Sequence, residues 1–90
     1  VLVIQNDIGN QYSPTTIIAA ITSQISKAKL PTHVEVRAKR SGFERGSVIL
    51  AEQIRTIDKS RLKEKVAVID EEVMLRVDQA IEISLGLTDI

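Results

Sequence analysis

The feature that most constrains this chain is an apolar stretch close to its start. Residues 13–24 open with Ser-Pro, continue as Thr-Thr-Ile-Ile-Ala-Ala-Ile-Thr and close on Ser-Gln. A short run rich in β-branched residues, bounded by turn-forming and polar residues, is typical of a buried strand. Side chains alternate across a strand, so both faces of this one are apolar until Thr22. The pattern predicts a central strand on which Thr22 is either a plain strand end or a hydroxyl brought to the surface for chemistry.

Length and composition limit the class of protein. Ninety residues, 43% of them hydrophobic and 27% charged, predict one globular domain with a modest core. We expect a partner subunit to bury further surface, and therefore a homodimer. The absence of cysteine excludes disulfides and thiolate metal sites. No apolar run approaches the roughly 20 residues that span a bilayer, so we expect a cytoplasmic protein without membrane contact.

Several shorter segments also have the composition of strands. We predict strands at residues 1–4, 33–37, 47–50, 54–57 and 65–69, with a loop at 5–14 and an interruption at 51–53. Strands at such close, irregular spacing favour a small barrel or a strongly curved sheet.

The C-terminal part follows a helical pattern. Asp70 is a good N-cap, Glu71 and Glu72 suit the first turn, and Gly86 suits the left-handed position after the last turn. In between, Val73, Val77, Ala80, Ile81 and Ser84 fall at helical spacing on one face. The fold class predicted is mainly β with one C-terminal amphipathic helix.

The formal net charge of zero hides an uneven distribution. Residues 27–65 contain eleven Lys and Arg against five Asp and Glu, which gives +6, whereas residues 66–90 contain one Arg against six acids, which gives −5. A basic middle segment favours phosphate-bearing partners such as nucleic acid, although an ordinary solvated surface has the same composition.

Most common catalytic designs are excluded. There is a single histidine, no cysteine and no Ser-His-Asp arrangement. His33 precedes an alternating strand, which favours a structural or contact role over catalysis. The carboxylates at 70–72 are explained by the helix start, so no metal site is predicted there.

Five sequence blocks occur in a fixed order along the chain. They are Val-Ile-Gln-Asn-Asp at 3–7, Ser-Pro-Thr at 13–15, Ala-Ala-Ile-Thr at 19–22, Leu-Pro-Thr-His-Val-Glu at 30–35 and Ser-Val-Ile-Leu-Ala-Glu-Gln-Ile-Arg-Thr-Ile-Asp-Lys at 47–59. In order and spacing they resemble the MazF/PemK family of bacterial toxins, particularly its Gram-positive members. The resemblance covers essentially the whole chain and implies one toxin domain over residues 1–90, an SH3-like small barrel with a C-terminal helix.

The resemblance also implies a function. Members of this family are toxins of toxin–antitoxin systems that cut single-stranded mRNA at specific sequences, independently of the ribosome and without a metal or other cofactor. The RNA 2′-hydroxyl attacks its own phosphate and leaves a 2′,3′-cyclic phosphate and a 5′-hydroxyl. The expected partners are a second copy of the chain, a MazE-like antitoxin that covers the basic RNA groove, and single-stranded mRNA.

Two catalytic residues follow from the resemblance. A Thr or Ser at the end of the central strand stabilises the phosphate, and Thr22 matches it. An Arg in an Arg-Pro pair is the second, and in this sequence that pair would stand immediately before Val1. We therefore expect the domain to be N-terminally incomplete and this chain alone to be weak or inactive.

The resemblance further implies a groove that reads RNA bases by hydrogen bonds and shape. Its predicted residues are Asn6, Lys29, Leu30, Pro31, Glu52 and Gln53. For each of them, ordinary loop packing or solvation is the competing interpretation.

Two other functions remain open from the sequence. A CcdB-like toxin that binds gyrase would share the fold, but that family relies on a C-terminal tail containing Trp, and this chain has no Trp. A non-catalytic SH3-like interaction module is the second alternative. Replacement of Thr22 by Ala separates the enzyme from the module.

Overall fold

The computed structural model describes residues 1–23, 30–36, 46–63, 65 and 68–88. Its elements, in chain order, are β1 (Leu2–Val3), α1 (Asp7–Tyr12), β2 (Thr15–Thr22), β3 (His33–Val36), β4 (Ser47–Asp58), a 3-10 turn (Lys59–Arg61) and α2 (Glu71–Ser84).

The strands form one antiparallel sheet in the order β1-β2-β4-β3. The predicted central strand is therefore β2, an inner strand paired on both sides. Ile18 is 1% exposed and Ala19 is fully buried, although they point to opposite faces. This burial on both faces confirms the prediction made from the apolar run.

A single long strand occupies the region where two strands were predicted. β4 runs without a break from Ser47 to Asp58, but its register with β2 shifts between the pairs Ala20↔Leu50 and Ala19↔Ile54. Residues 51–53 thus have no partner in β2 and form a bulge. The predicted interruption is this bulge, which bends the strand without ending it.

Helix α2 covers one face of the sheet. Val73 and Ala80 are buried and Val77 is fully buried, in one cluster with apolar residues of β2, β3 and β4. These are the positions that the helical spacing predicted to face the core, and they fix which face of the sheet is closed.

Both ends of α2 are capped as predicted. Asp70 accepts a hydrogen bond from the Val73 N–H at 2.9 Å. At the other end Gly86 has φ of 71°, and the Leu87 N–H reaches back to the Glu82 carbonyl at 2.8 Å. This is a Schellman motif, for which glycine is the favoured residue.

Two local predictions were wrong or only partly tested. The predicted loop at 5–14 contains α1, a single short helix started by Asn6, whose side chain accepts from the Gly9 N–H at 2.8 Å. The described residues of the predicted strand at 65–69, namely Lys65, Val68 and Ile69, lie in no strand.

The fold class is confirmed: a mainly β sheet curled into a half-barrel, with a C-terminal helix packed on it. Among the described residues, no helix is long and apolar enough to cross a membrane.

Candidate functional site

Thr22 lies on the sheet face opposite α2. It pairs with Val48 of β4, and Val48 in turn pairs with Glu35 of β3. The neighbouring Ile21 and Ile49 pack toward the helix, so alternation turns Thr22 and Glu35 to the other face. Two strand spacings separate them, about 10 Å between their backbones. This row places a hydroxyl and a carboxylate on one face of the sheet.

The next row of the same face contains His33. His33 pairs with Leu50, and Leu50 pairs with Ala20, two residues before Thr22. His33 also closes a turn, since its backbone N–H donates to the Leu30 carbonyl at 2.9 Å. Pro31 occupies the second position of that turn, where its fixed φ is favoured.

Glu52 is held by two side chains of this turn. The Thr32 hydroxyl donates to Glu52 Oε1 at 3.1 Å, and His33 Nε2 lies 3.0 Å from Glu52 Oε2. His33 Nδ1 accepts from the Leu30 N–H at 3.2 Å. The turn and the carboxylate therefore form one hydrogen-bonded unit, called here the Glu52 clamp: Leu30, Thr32, His33 and Glu52.

These contacts determine the ionisation of Glu52. Burial alone would raise the pKa of Glu52, but hydrogen bonds from its own backbone N–H, from His33 and from Thr32 together lower it below its ordinary value of 4.5. Glu52 is consequently an ionised hydrogen-bond acceptor at neutral pH.

The bulge of β4 explains how Glu52 and Gln53 are presented. Both are exposed, and neither faces a residue of β2, because the register shift leaves residues 51–53 unpaired on that side. On the other side the Ala51 N–H still donates to the Thr32 carbonyl at 2.9 Å. The bulge thus remains hydrogen-bonded to the turn before β3, whereas residues 51–53 have no partner in β2.

Asn6 has a structural role that the sequence analysis did not predict. Its Oδ1 accepts a hydrogen bond from the Gly9 N–H and so caps the start of α1. It also lies far from Thr22, since the preceding Gln5 donates to the carbonyl of Thr15, at the other end of β2. The seven-residue separation along β2 corresponds to about 23 Å.

The predicted site residues therefore spread along the sheet and do not form one cluster. Leu30, which belongs to the Glu52 clamp, is 53% exposed, and the neighbouring Pro31 is also on the surface. Lys29 lies outside the described residues. A row of separated polar and apolar contacts suits an extended ligand better than a compact one.

The clamp residues Thr32 and His33 were not singled out as site residues from the sequence, and neither was Glu35. His33 and Glu52 are 19 positions apart and meet only through the register of β3 with β4. The signal present in the sequence was the single histidine at a strand start next to Leu-Pro-Thr, which indicates a position but not a partner.

Comparison with known proteins places the chain in a family. Residues 1–85 match the model of the PemK-like, MazF-like toxins of type II toxin–antitoxin systems. The chain is 70% identical over 89 residues to the endoribonuclease EndoA of Bacillus subtilis, covering 99% of this chain and 77% of that protein.

Solved structures agree with the fold. The Mycobacterium tuberculosis toxin MazF-mt6 superimposes with a TM-score of 0.87 at 21% identity, covering 99% of this chain and 87% of the toxin chain. A MazE–MazF crystal structure from Deinococcus radiodurans gives 0.76 at 27% identity, covering 97% and 84%. The chain therefore belongs to the PemK-like, MazF-like family of toxins of type II toxin–antitoxin systems.

Proposed function

We propose that this chain is the toxin of a toxin–antitoxin system and a sequence-specific endoribonuclease that cuts single-stranded mRNA without the ribosome and without a metal. The observation that carries the proposal is the 70% identity, over 99% of the chain, to a protein named as an endoribonuclease. The sheet face that carries Thr22, Glu35 and the Glu52 clamp supports it, because Glu35 and Glu52 are exposed there and an extended single strand needs contacts spread along a surface.

The proposed reaction is an internal transfer of the phosphate. The 2′-oxygen of the ribose attacks the adjacent phosphorus and loses its proton to a base. The bond from phosphorus to the 5′-oxygen breaks, and that oxygen takes up a proton. The products are a 2′,3′-cyclic phosphate and a 5′-hydroxyl. Charge grows on the phosphate oxygens not bonded to ribose, so a hydrogen-bond donor placed there accelerates the step.

Thr22 is proposed as that donor. It stands at the end of the inner strand β2 and pairs there with Val48 of β4, so its hydroxyl is held by an element of the sheet. By family resemblance the second catalytic residue is an arginine followed by proline, and neither Pro14 nor Pro31 of this chain follows an arginine.

The proposed partners are a second copy of the chain and a MazE-like antitoxin. The Deinococcus radiodurans structure is named as a MazE–MazF assembly. The basic segment 27–65, with a formal charge of +6, is complementary to an acidic antitoxin chain that orders on binding.

A cleavage assay in EDTA tests the proposal. Long single-stranded RNA is incubated with the 90-residue chain and with the same chain preceded by Arg-Pro, and the cut sites and end groups are mapped. We expect cuts at one short sequence, with 5′-hydroxyl ends. Cleavage at that sequence should be faster with the extended chain. Cleavage that requires Mg²⁺, or no cleavage by either chain, would contradict the proposal.

Substitution of Thr22 is the matched test of its role. Removal of one such donor typically costs about 100-fold to 1,000-fold in rate, so we expect that loss in Thr22→Ala, measured as initial cleavage rate. Thr22→Ser keeps the hydroxyl and serves as the control, with a rate close to that of the original chain. Equal rates for the Ala and Ser variants would remove Thr22 from the mechanism.

A further inference from the structure

The Glu52 clamp takes no part in the cleavage step proposed above. It contains the only histidine of the chain, and its parts come from the turn before β3 and from the bulge of β4. The His33 side chain is 4% exposed, whereas the Glu52 side chain is 33% exposed. Because the imidazole is nearly buried and the carboxylate is partly exposed, His33 can orient the carboxylate but is poorly placed to contact a ligand itself.

The hydrogen bonds of the imidazole define where its proton lies. Nδ1 accepts from the Leu30 N–H at 3.2 Å, so the ring proton is on Nε2 and is donated to Glu52 Oε2 at 3.0 Å. Thr32 holds the other oxygen at 3.1 Å. A carboxylate has about four lone-pair directions, and Thr32, His33 and the Glu52 backbone N–H occupy three of them, so Glu52 can accept one further hydrogen bond.

We infer that His33 is a positioning residue: with its proton on Nε2, it fixes the Glu52 carboxylate to accept a hydrogen bond from an amino or ring N–H group of an unpaired RNA base. The inference rests on the proposed function and deepens it, because it assigns a base-selecting role to the clamp. An ionised carboxylate has no proton to donate, so it disfavours a base edge that presents a carbonyl oxygen at the same point.

Leu30 gives the Glu52 clamp an apolar surface on which the flat face of a base can rest. Its backbone N–H is bound to the imidazole, and its side chain is 53% exposed. An apolar side chain beside a fixed acceptor supports the flat face of a base while the carboxylate reads its edge.

Two substitutions separate the two hydrogen bonds of the imidazole. In His33→Gln the side-chain amide reaches the position of Nε2, so the donor to Glu52 is kept and the acceptor for the Leu30 N–H is lost. In His33→Asn the shorter side chain reaches only the position of Nδ1, so the acceptor is kept and the donor to Glu52 is lost. Glu52→Gln removes the negative charge and replaces one of the two acceptor oxygens by an amide donor, and is the positive control.

Binding is measured apart from cleavage. The full chain and the three variants are equilibrated with a pool of single-stranded 2′-O-methyl RNA randomised over a short window, and the bound fraction is sequenced. The 2′-O-methyl group cannot attack the phosphate, so base preference is read without cutting. Thermal denaturation of each variant checks that it is folded.

The expected result is specific to one position of the RNA. At that position, RNA bound by the original chain and by His33→Gln should be enriched in a base with an amino or ring N–H group. For His33→Asn and Glu52→Gln the enrichment should be about tenfold lower. NMR titration of the Glu52 carboxyl carbon supplies a second measurement. Its midpoint should move to higher pH in His33→Asn, and less so in His33→Gln.

Three results would overturn the inference: no base preference in the original chain, an unchanged preference in His33→Asn, or equal loss in both histidine variants with an unchanged Glu52 titration. Failure of the proposed function looks different. In that case the RNA is bound with its base preference, but unmodified RNA is not cut.

Discussion

At the scale of single residues, Glu52 shows how neighbouring side chains can fix the orientation of an exposed carboxylate. Two side chains, Thr32 and His33, hold its two oxygens, and the carboxylate stays ionised although it is partly buried. A flexible surface glutamate would have to lose side-chain freedom on contact with RNA, whereas the clamp has already removed that freedom during folding.

The lowered pKa of Glu52 predicts a pH dependence of stability. A carboxyl with a pKa below its ordinary value of 4.5 stabilises the folded state at pH above that value, and this contribution disappears as the pH falls through the folded-state pKa. We therefore expect the difference in free energy of unfolding between the original chain and Glu52→Gln to be constant from pH 7 to about 5 and to shrink below about 4.5.

Urea denaturation at a series of pH values measures this difference. Titrating groups that do not contact Glu52 are common to both chains and cancel in the comparison. A difference that stays the same from pH 7 down to pH 3 would show that the clamp does not hold the ionised form.

At the scale of elements, the helices differ in how much of their stability is local. α1 has one turn and a half and no buried residue, so its cap at Asn6 and contacts with β2 hold it in place. α2 has 14 residues, two acids in its first turn and a buried apolar face. Its ends are set by local sequence, and its location is set by packing.

The N-cap of α2 is predicted to contribute about 1 kcal/mol to the free energy of unfolding. Asp70→Ala removes the acceptor for the Val73 N–H and should destabilise the chain by that amount, measured by urea denaturation. Asp78→Ala is the control, because Asp78 is exposed in the middle of the same helix, where Ala has the higher helix propensity. Equal losses in the two variants would mean that the cap contributes nothing of its own.

At the scale of the whole molecule, one face of the sheet packs in the core and the other carries the candidate site. One face meets α2 in a core that includes Ile49, Val77 and Ala19. The opposite face carries Thr22, Glu35 and the Glu52 clamp. The core thus keeps rigid the strands on which the candidate site is built.

Substitution of Ile49 tests the assignment of this core. It is fully buried near the start of β4, so Ile49→Ala should reduce the free energy of unfolding by about 2–5 kcal/mol. Ile8→Ala is the matched control: the same atoms are removed at a residue that is 74% exposed, and a change below about 0.5 kcal/mol is expected. Similar effects at the two positions would contradict the assignment of the core.

The sequence by itself determined the features that depend on neighbouring residues. The apolar run of β2, the cap at Asp70, the glycine stop at Gly86 and the buried face of α2 were all predicted, because strand alternation, capping and helical spacing are local properties. The order of five short blocks was likewise sufficient to indicate the family.

Only the tertiary structure decided the features that depend on strand register. It joined the two predicted strands into β4 through a bulge, placed a helix after Asn6, and brought His33 onto Glu52 across 19 positions of sequence. A pairing between strands is fixed by the packing of whole faces, so no local pattern at His33 or at Glu52 contains it. For that reason Thr22 could be proposed from its place at a strand end together with the family resemblance, whereas the clamp that orients Glu52 became visible only when the strands were paired.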